Sequence, residues 1–274
     1  KKNKQNTSDF QIPNAPIAPT VSSPQHQPTT IEQAMKAAEQ LQQQGQLQKA
    51  EQIVRNILNQ APQYAPAMHL LGVIAHNVGK TDIAIDLIEK AVKINDKIAL
   101  FHANLAEMYR RMERYEDAVE SGKKAVALAP DFLFAQSNLG IAYFDLKDFE
   151  NAEKHQKIAL KLNPDFAPSI NNYGSILRNR DNNYQEAEKY FRKAIAVNPN
   201  YPDAYNNLGE VLIRLDDPEE GLNYLNTLLQ KDPNNESAWC NRGLALLSIG
   251  KGEEAKQSYF KALSIKEKST SALA

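Results

Sequence analysis

A small residue recurs at Ala50, Ala84, Ala118, Ala152, Ala187, Gly221 and Ala255, at steps of 34 residues with a single step of 35. Such a period leaves little choice of fold. A segment that short holds two helices but no core of its own, so seven copies imply a linear array in which each unit buries its apolar face on its neighbours. A second series, Gly72, Ala106, Gly140, Gly174, Gly209 and Gly243, precedes the first by twelve residues, or by thirteen in the repeat with the extra residue. Prolines at Pro62, Pro130, Pro164, Pro199 and Pro233 follow it by twelve.

Numbered from the start of a repeat, positions 4, 7, 8 and 11 carry the apolar or small residues of a first helix, as in His102, Leu105, Ala106 and Tyr109 or Gln136, Leu139, Gly140 and Tyr143. That spacing makes one buried stripe. Small residues at positions 8 and 20 let two antiparallel helices approach closely, and the proline near position 32 ends the second helix because it lacks an N–H. The extra residue lies between Asn172 and Ala187 and is expected in the turn around Asp181 to Asn183. The array divides into 31–64, 65–98, 99–132, 133–166, 167–201, 202–235 and 236–269. Residues 1–30 hold Pro13, Pro16, Pro19, Pro24 and Pro28 among glutamine, serine and threonine, a composition expected to stay disordered. The last second helix is expected to run to about Lys268, leaving 270–274 as a tail or the start of a continuation. An uncovered edge there implies further sequence or a partner.

The period, the Leu-Gly followed by tyrosine, the alanine at position 20 and the proline at position 32 resemble the tetratricopeptide repeat. Departures are local: Asp96 and Glu267 replace proline, and Ala37 and Ala38 stand where Leu-Gly is usual. The resemblance implies an all-α, right-handed superhelical solenoid of stacked antiparallel helix pairs, with the first helices on its concave side.

Position 6 is asparagine five times, at Asn104, Asn138, Asn172, Asn207 and Asn241, while the first two repeats have Lys36 and Leu70. At about 100° per residue, position 6 lies opposite the core stripe and beside positions 2, 9 and 13. Asparagine is a mediocre helix former, roughly 0.5 kcal/mol worse than alanine, so its retention points to a role. A carboxamide both donates and accepts, and a row of them suits the backbone of an extended peptide. Bonding to the neighbouring repeat is the alternative. The ladder resembles the groove of the repeat arm of O-linked N-acetylglucosamine transferases, where asparagines clamp a protein substrate. Selectivity would then come from Glu107, Arg111, Phe134, Asp145, Asp203, Glu210 and Arg214. A clamp for a terminal carboxylate is not expected, because position 5 reads Ala103, Ser137, Asn171, Asn206 and Cys240 rather than lysine.

Lysine plus arginine, 32, nearly cancels aspartate plus glutamate, 33, so no chain-wide field draws it to nucleic acid, and the basic run Arg110, Arg111 and Arg114 is interspersed with Glu107, Glu113 and Glu116 as on a solvated helix face. No apolar run suits a signal peptide or membrane insertion. The chain opens at Lys1 rather than methionine, which suggests a processed or truncated piece. Cys240, the single cysteine, fits a reducing, cytoplasmic setting. No phosphate loop, zinc-ligand spacing or nucleophile elbow occurs, so the chain is read as non-enzymatic, with no catalytic residue, metal or cofactor. His26, His69, His76, His102 and His155 are scattered, and His102 and Trp239 are expected in the packing. The expected partner is an extended protein or peptide segment, with homo-oligomers as a further possibility. Two alternative readings remain: the substrate-recruiting arm of a larger bacterial glycosyltransferase or sulfotransferase, which the opening of the array loosely resembles, or a self-assembling structural module.

Overall fold

The computed structural model describes residues 30–273, with side chains to residue 267; the expected disordered tail lies outside them. Fourteen helices and no strand occur among the described residues. They form two compact units divided after Asp96. The first unit holds α1 (Ile31–Gln43), α2 (Leu47–Gln60), α3 (Ala65–Asn77) and α4 (Thr81–Ile94). The second holds α5 (Ala99–Arg111), α6 (Tyr115–Leu128), α7 (Leu133–Asp145), α8 (Phe149–Leu162), α9 (Ala167–Asp181), α10 (Tyr184–Val197), α11 (Pro202–Arg214), α12 (Pro218–Lys231), α13 (Glu236–Ser248) and α14 (Gly252–Leu273). In both units consecutive helices pair and each pair packs on the next, giving an all-α solenoid architecture. Within the second unit successive first helices also touch one another, whereas successive second helices do not. The stack is therefore tighter on its first-helix side.

Close helix approach rests on complementary sizes. Ala50, Ala84, Ala118, Ala152, Ala187 and Ala255 have no exposed surface. A Cβ added at position 8 would meet the position-24 side chain of its own repeat: 2.7 Å from Ile88 at Gly72, 2.6 Å from Gln156 at Gly140, 2.6 Å from Leu225 at Gly209 and 2.7 Å from Tyr259 at Gly243. In the third repeat the sizes reverse. Ala106 occupies position 8, and Gly122 stands at position 24. An extra methyl at the glycines would overpack the pair, a change of about 1–3 kcal/mol.

The turn inside each repeat has one backbone solution. Gly45, Gly79, Glu113, Lys147, Asn182, Asp216 and Gly250 all take positive φ, between 50° and 82°. Only three of the seven are glycine, and a left-handed conformation costs other L-residues roughly 1–2 kcal/mol. The residue after the left-handed one donates its N–H five residues back, as in Lys80 to Ala75, Asp148 to Tyr143 and Lys251 to Leu246. In the fifth repeat Asn183 instead reaches six residues back, to Leu177. The extra residue is thus where expected, but it enlarges the helix end rather than the loop: α9 has 15 residues where other first helices have 13. A second correction concerns helix ends. α4 stops at Ile94 although Asp96 replaces proline, whereas α14 passes the expected end near Lys268 and reaches Leu273. Proline is sufficient to stop the second helix, and not required.

Loops between repeats are latched by position 4. Gln136 Nε2 donates to the Pro130 carbonyl at 2.7 Å, Tyr205 Oη to Pro199 at 3.0 Å and Trp239 Nε1 to Pro233 at 2.9 Å. Trp239 is half-buried and His102 buried, as packing positions should be.

Candidate functional site

The five asparagines are all half-buried on the first helices of the second unit. Three of them bond back to position 5 of the preceding repeat. Asn138 Nδ2 donates to the Ala103 carbonyl at 3.4 Å, Asn207 Nδ2 to Asn171 Oδ1 at 2.9 Å and Asn241 Nδ2 to Asn206 Oδ1 at 3.0 Å. Part of the ladder therefore stitches repeats together, the alternative already raised by the sequence. Each such amide keeps a second N–H, and Asn138 and Asn241 keep their carbonyl oxygens. Asn172 makes no side-chain hydrogen bond among the described residues. Asn104 is engaged as well.

Charged residues beside the ladder form two clusters. Arg110 forks onto Glu107 at 3.0 and 3.1 Å and reaches Asp145 at 3.4 Å, while Arg111 meets Glu107 at 2.7 Å. Burial opposes ionisation of Glu107, but the two arginines hold its carboxyl below the usual range. For Asp145 burial prevails over its single long bond to Arg110 and raises the carboxyl. In the second cluster Arg178 bonds Glu210 at 2.6 Å and Asn207 Oδ1 at 3.3 Å. Position 12 carries both bridging arginines; Arg110 stood out in the sequence only as one of a run of basic residues interspersed with acids, and Arg178 did not stand out. The signal available was opposite charge at positions 9 and 12, Glu107 with Arg110 in one repeat and Arg178 with Glu210 in neighbouring ones.

A pocket of about 230 Å³ lies among α7, α9 and α11, lined by Ile141, Phe144, Asp145, Asn171, Asn172, Ser175, Arg178, Asp203, Asn206 and Asn207. It unites Asn172 and Asn207 with two expected flanking residues, Asp145 and Asp203. Glu210 adjoins through Arg178. Asn104, Asn138, Asn241, Glu107, Arg111, Phe134 and Arg214 do not line it. Phe134 is 55% exposed and packs edge-on to Phe132 and Phe166; Arg214 is exposed. Tyr201 precedes α11, and burial, followed by the charge of Asp203 and a hydrogen bond to it, pushes its phenol well above the usual value. Among the described residues no three His, Cys, Asp or Glu side chains could together hold a metal ion, and no helix is long and apolar enough to cross a membrane.

The tetratricopeptide repeat pattern matches residues 65–98, 99–132, 134–166, 180–241 and 236–269. The chain belongs to the tetratricopeptide repeat family. A crystal structure of a tetratricopeptide repeat protein from Parabacteroides merdae superposes with a TM-score of 0.67 at 19% identity, covering 86% of this chain and 93% of that one. A thermophilic tetratricopeptide repeat protein from Thermus thermophilus gives 0.60 at 25% identity, covering 67% and 99%. An uncharacterised protein from Methanocaldococcus jannaschii is 35% identical over 51 residues, 19% of this chain. The match spans 59% of that relative's length. Tetratricopeptide arrays in general present surfaces to protein partners.

Proposed function

We propose that the chain is a non-catalytic protein-binding scaffold that lays an extended polypeptide along the first helices of its second unit. The row of first helices is the tighter side of the stack, so a segment running along it meets successive repeats. The single observation that carries this reading is the pocket among α7, α9 and α11. There Asn172, half-buried, has no side-chain hydrogen bond among the described residues and turns its amide to the pocket. A carboxamide at that place offers a peptide unit both an acceptor and a donor. The ladder then has two functions: Asn138, Asn207 and Asn241 align the repeats, and their remaining amide atoms and Asn172 face the ligand.

Affinity capture from the native cell with immobilised wild type and with an Asn172→Ala, Asn207→Ala variant tests the reading. Losing two hydrogen bonds of about 1 kcal/mol each weakens capture by roughly tenfold or more, with helicity unchanged by circular dichroism. Undiminished capture by the variant overturns the proposal.

A further inference from the structure

The polarity of one hydrogen-bond chain is fixed by chemistry. Arg178 has only donors, so the Asn207 atom facing it at 3.3 Å is the carbonyl oxygen, and the Asn207 amide must point the other way. It donates to Asn171, whose contacting atom at 2.9 Å is therefore Oδ1. The relay ends on Asn171 Nδ2. That residue is only 4% exposed and lines the pocket, and its N–H groups meet no acceptor among the described residues. These N–H groups open onto the pocket and have no acceptor within the fold, so they can donate to one that a ligand supplies.

The charge of the pocket is equally one-sided. Its one cation, Arg178, is already bound to Glu210 at 2.6 Å. Of its two carboxylates, Asp145 has a single long contact, 3.4 Å to an Arg110 that is forked onto Glu107. Asp203 is exposed, accepts a hydrogen bond from Tyr201 and forms no salt bridge among the described residues. Ile141 and Phe144 add an apolar wall. At about 230 Å³ the pocket lies below the range of roughly 300–1,000 Å³ that suits small-molecule ligands. A single long side chain with an apolar stem and a cationic head matches its size, its wall and its sign.

We propose that this pocket takes a lysine or arginine side chain of an extended segment, its cation neutralising Asp145 and Asp203 while a segment carbonyl accepts from Asn171 Nδ2. The proposal rests on the reading of the first helices as a peptide-binding face, and gives that face a sequence preference. An acidic or carboxy-terminal ligand would meet two carboxylates, neither of them closely paired with a cation. The upward shift of Asp145 agrees with this, since the charge of a bound cation offsets the cost of ionising a buried carboxyl.

Fluorescein-labelled decapeptides of serine and alanine, capped at both ends and carrying one central lysine, arginine, norleucine or glutamate, test the proposal by anisotropy. The basic peptides are expected to bind about tenfold more tightly than norleucine, with glutamate weakest and the preference shrinking as salt rises. Asp145→Asn and Asp203→Asn should each reduce it, and together abolish it, without altering the melting temperature. Binding that ignores the central residue, or a basic preference that survives the double variant, overturns the pocket's assignment and leaves the peptide-binding face standing. Failure of every peptide to bind overturns both.

Discussion

The two units solve the same turn differently. In the first unit the left-handed position is glycine both times, Gly45 and Gly79; in the second it is Glu113, Lys147, Asn182 and Asp216 before glycine returns at Gly250. Their first helices differ in the same sense. Position 6 of α3 is Leu70, buried in the apolar cluster of the first unit, and position 5 is His69, buried beside it. In the second unit position 6 carries the five asparagines, half-buried, three of them bonded to the preceding repeat. The helix pair dictates the turn geometry whatever residue stands there. The second unit therefore carries backbone strain at four of its five turns, where the first unit has glycine.

The largest expected departure between the units comes from acid. Burial lowers the pKa of His69 to about 4, against an unfolded value near 6.5. Its stabilising contribution, full above about pH 6.5, is lost as pH falls towards 4, to a total of about 3 kcal/mol. Hydrogen exchange read separately on α3 and α7 should show the first unit loosening first over that window, and His69→Leu should remove the difference. His155 in the second unit is shifted the same way by burial, then by Lys154, but is half-exposed and contributes less. The second unit also holds an acid-resistant pair of contacts: Lys157 and Arg180 keep the Glu153 carboxyl ionised down to about pH 2.

Exchanging the turns gives effects of about 1 kcal/mol each. Glu113→Gly and Lys147→Gly should raise the unfolding midpoint in urea, and Gly79→Ala should lower it. Nothing lies within 4 Å of a Cβ built at Gly79, so its loss would be backbone strain alone. Equal responses in both directions would erase the distinction between the units. The smallest effects separate stitching from display along the ladder. Asn241→Ala removes the bond to Asn206 and should destabilise by about 1 kcal/mol. Asn172→Ala removes no bond within the fold and gains helix propensity, so it should be neutral or stabilising by about 0.5 kcal/mol. A destabilised Asn172 variant would make that residue structural.

Much of the fold was legible because it rests on residue size at fixed spacing. First helices begin at Ile31, Ala65, Ala99, Leu133, Ala167, Pro202 and Glu236, at the repeat boundaries read from Ala50 to Ala255. The left-handed turn was less visible, because Glu113 and Lys147 give no hint of positive φ. The exchange of Ala106 and Gly122 is visible only once positions 8 and 24 are known to touch. At the site, helical angle placed Asn172 and Asn207 with Asp145 and Asp203, which line one pocket. It could not divide the ladder into bonded and unbonded members, nor find Arg178. Those depend on where the next repeat sets its backbone, a distance of a few ångströms that periodicity does not encode.

The latches from Gln136, Tyr205 and Trp239 to the proline carbonyls bear on how such an array can be cut and rejoined. Each ties the opening of one repeat to the loop that closes the one before, so the covalent period and the mechanical unit are out of phase. A segment excised from one first helix to the next severs a latch at both junctions. One excised within the turn between paired helices carries its latch along, making that turn the natural seam for lengthening or shortening the array.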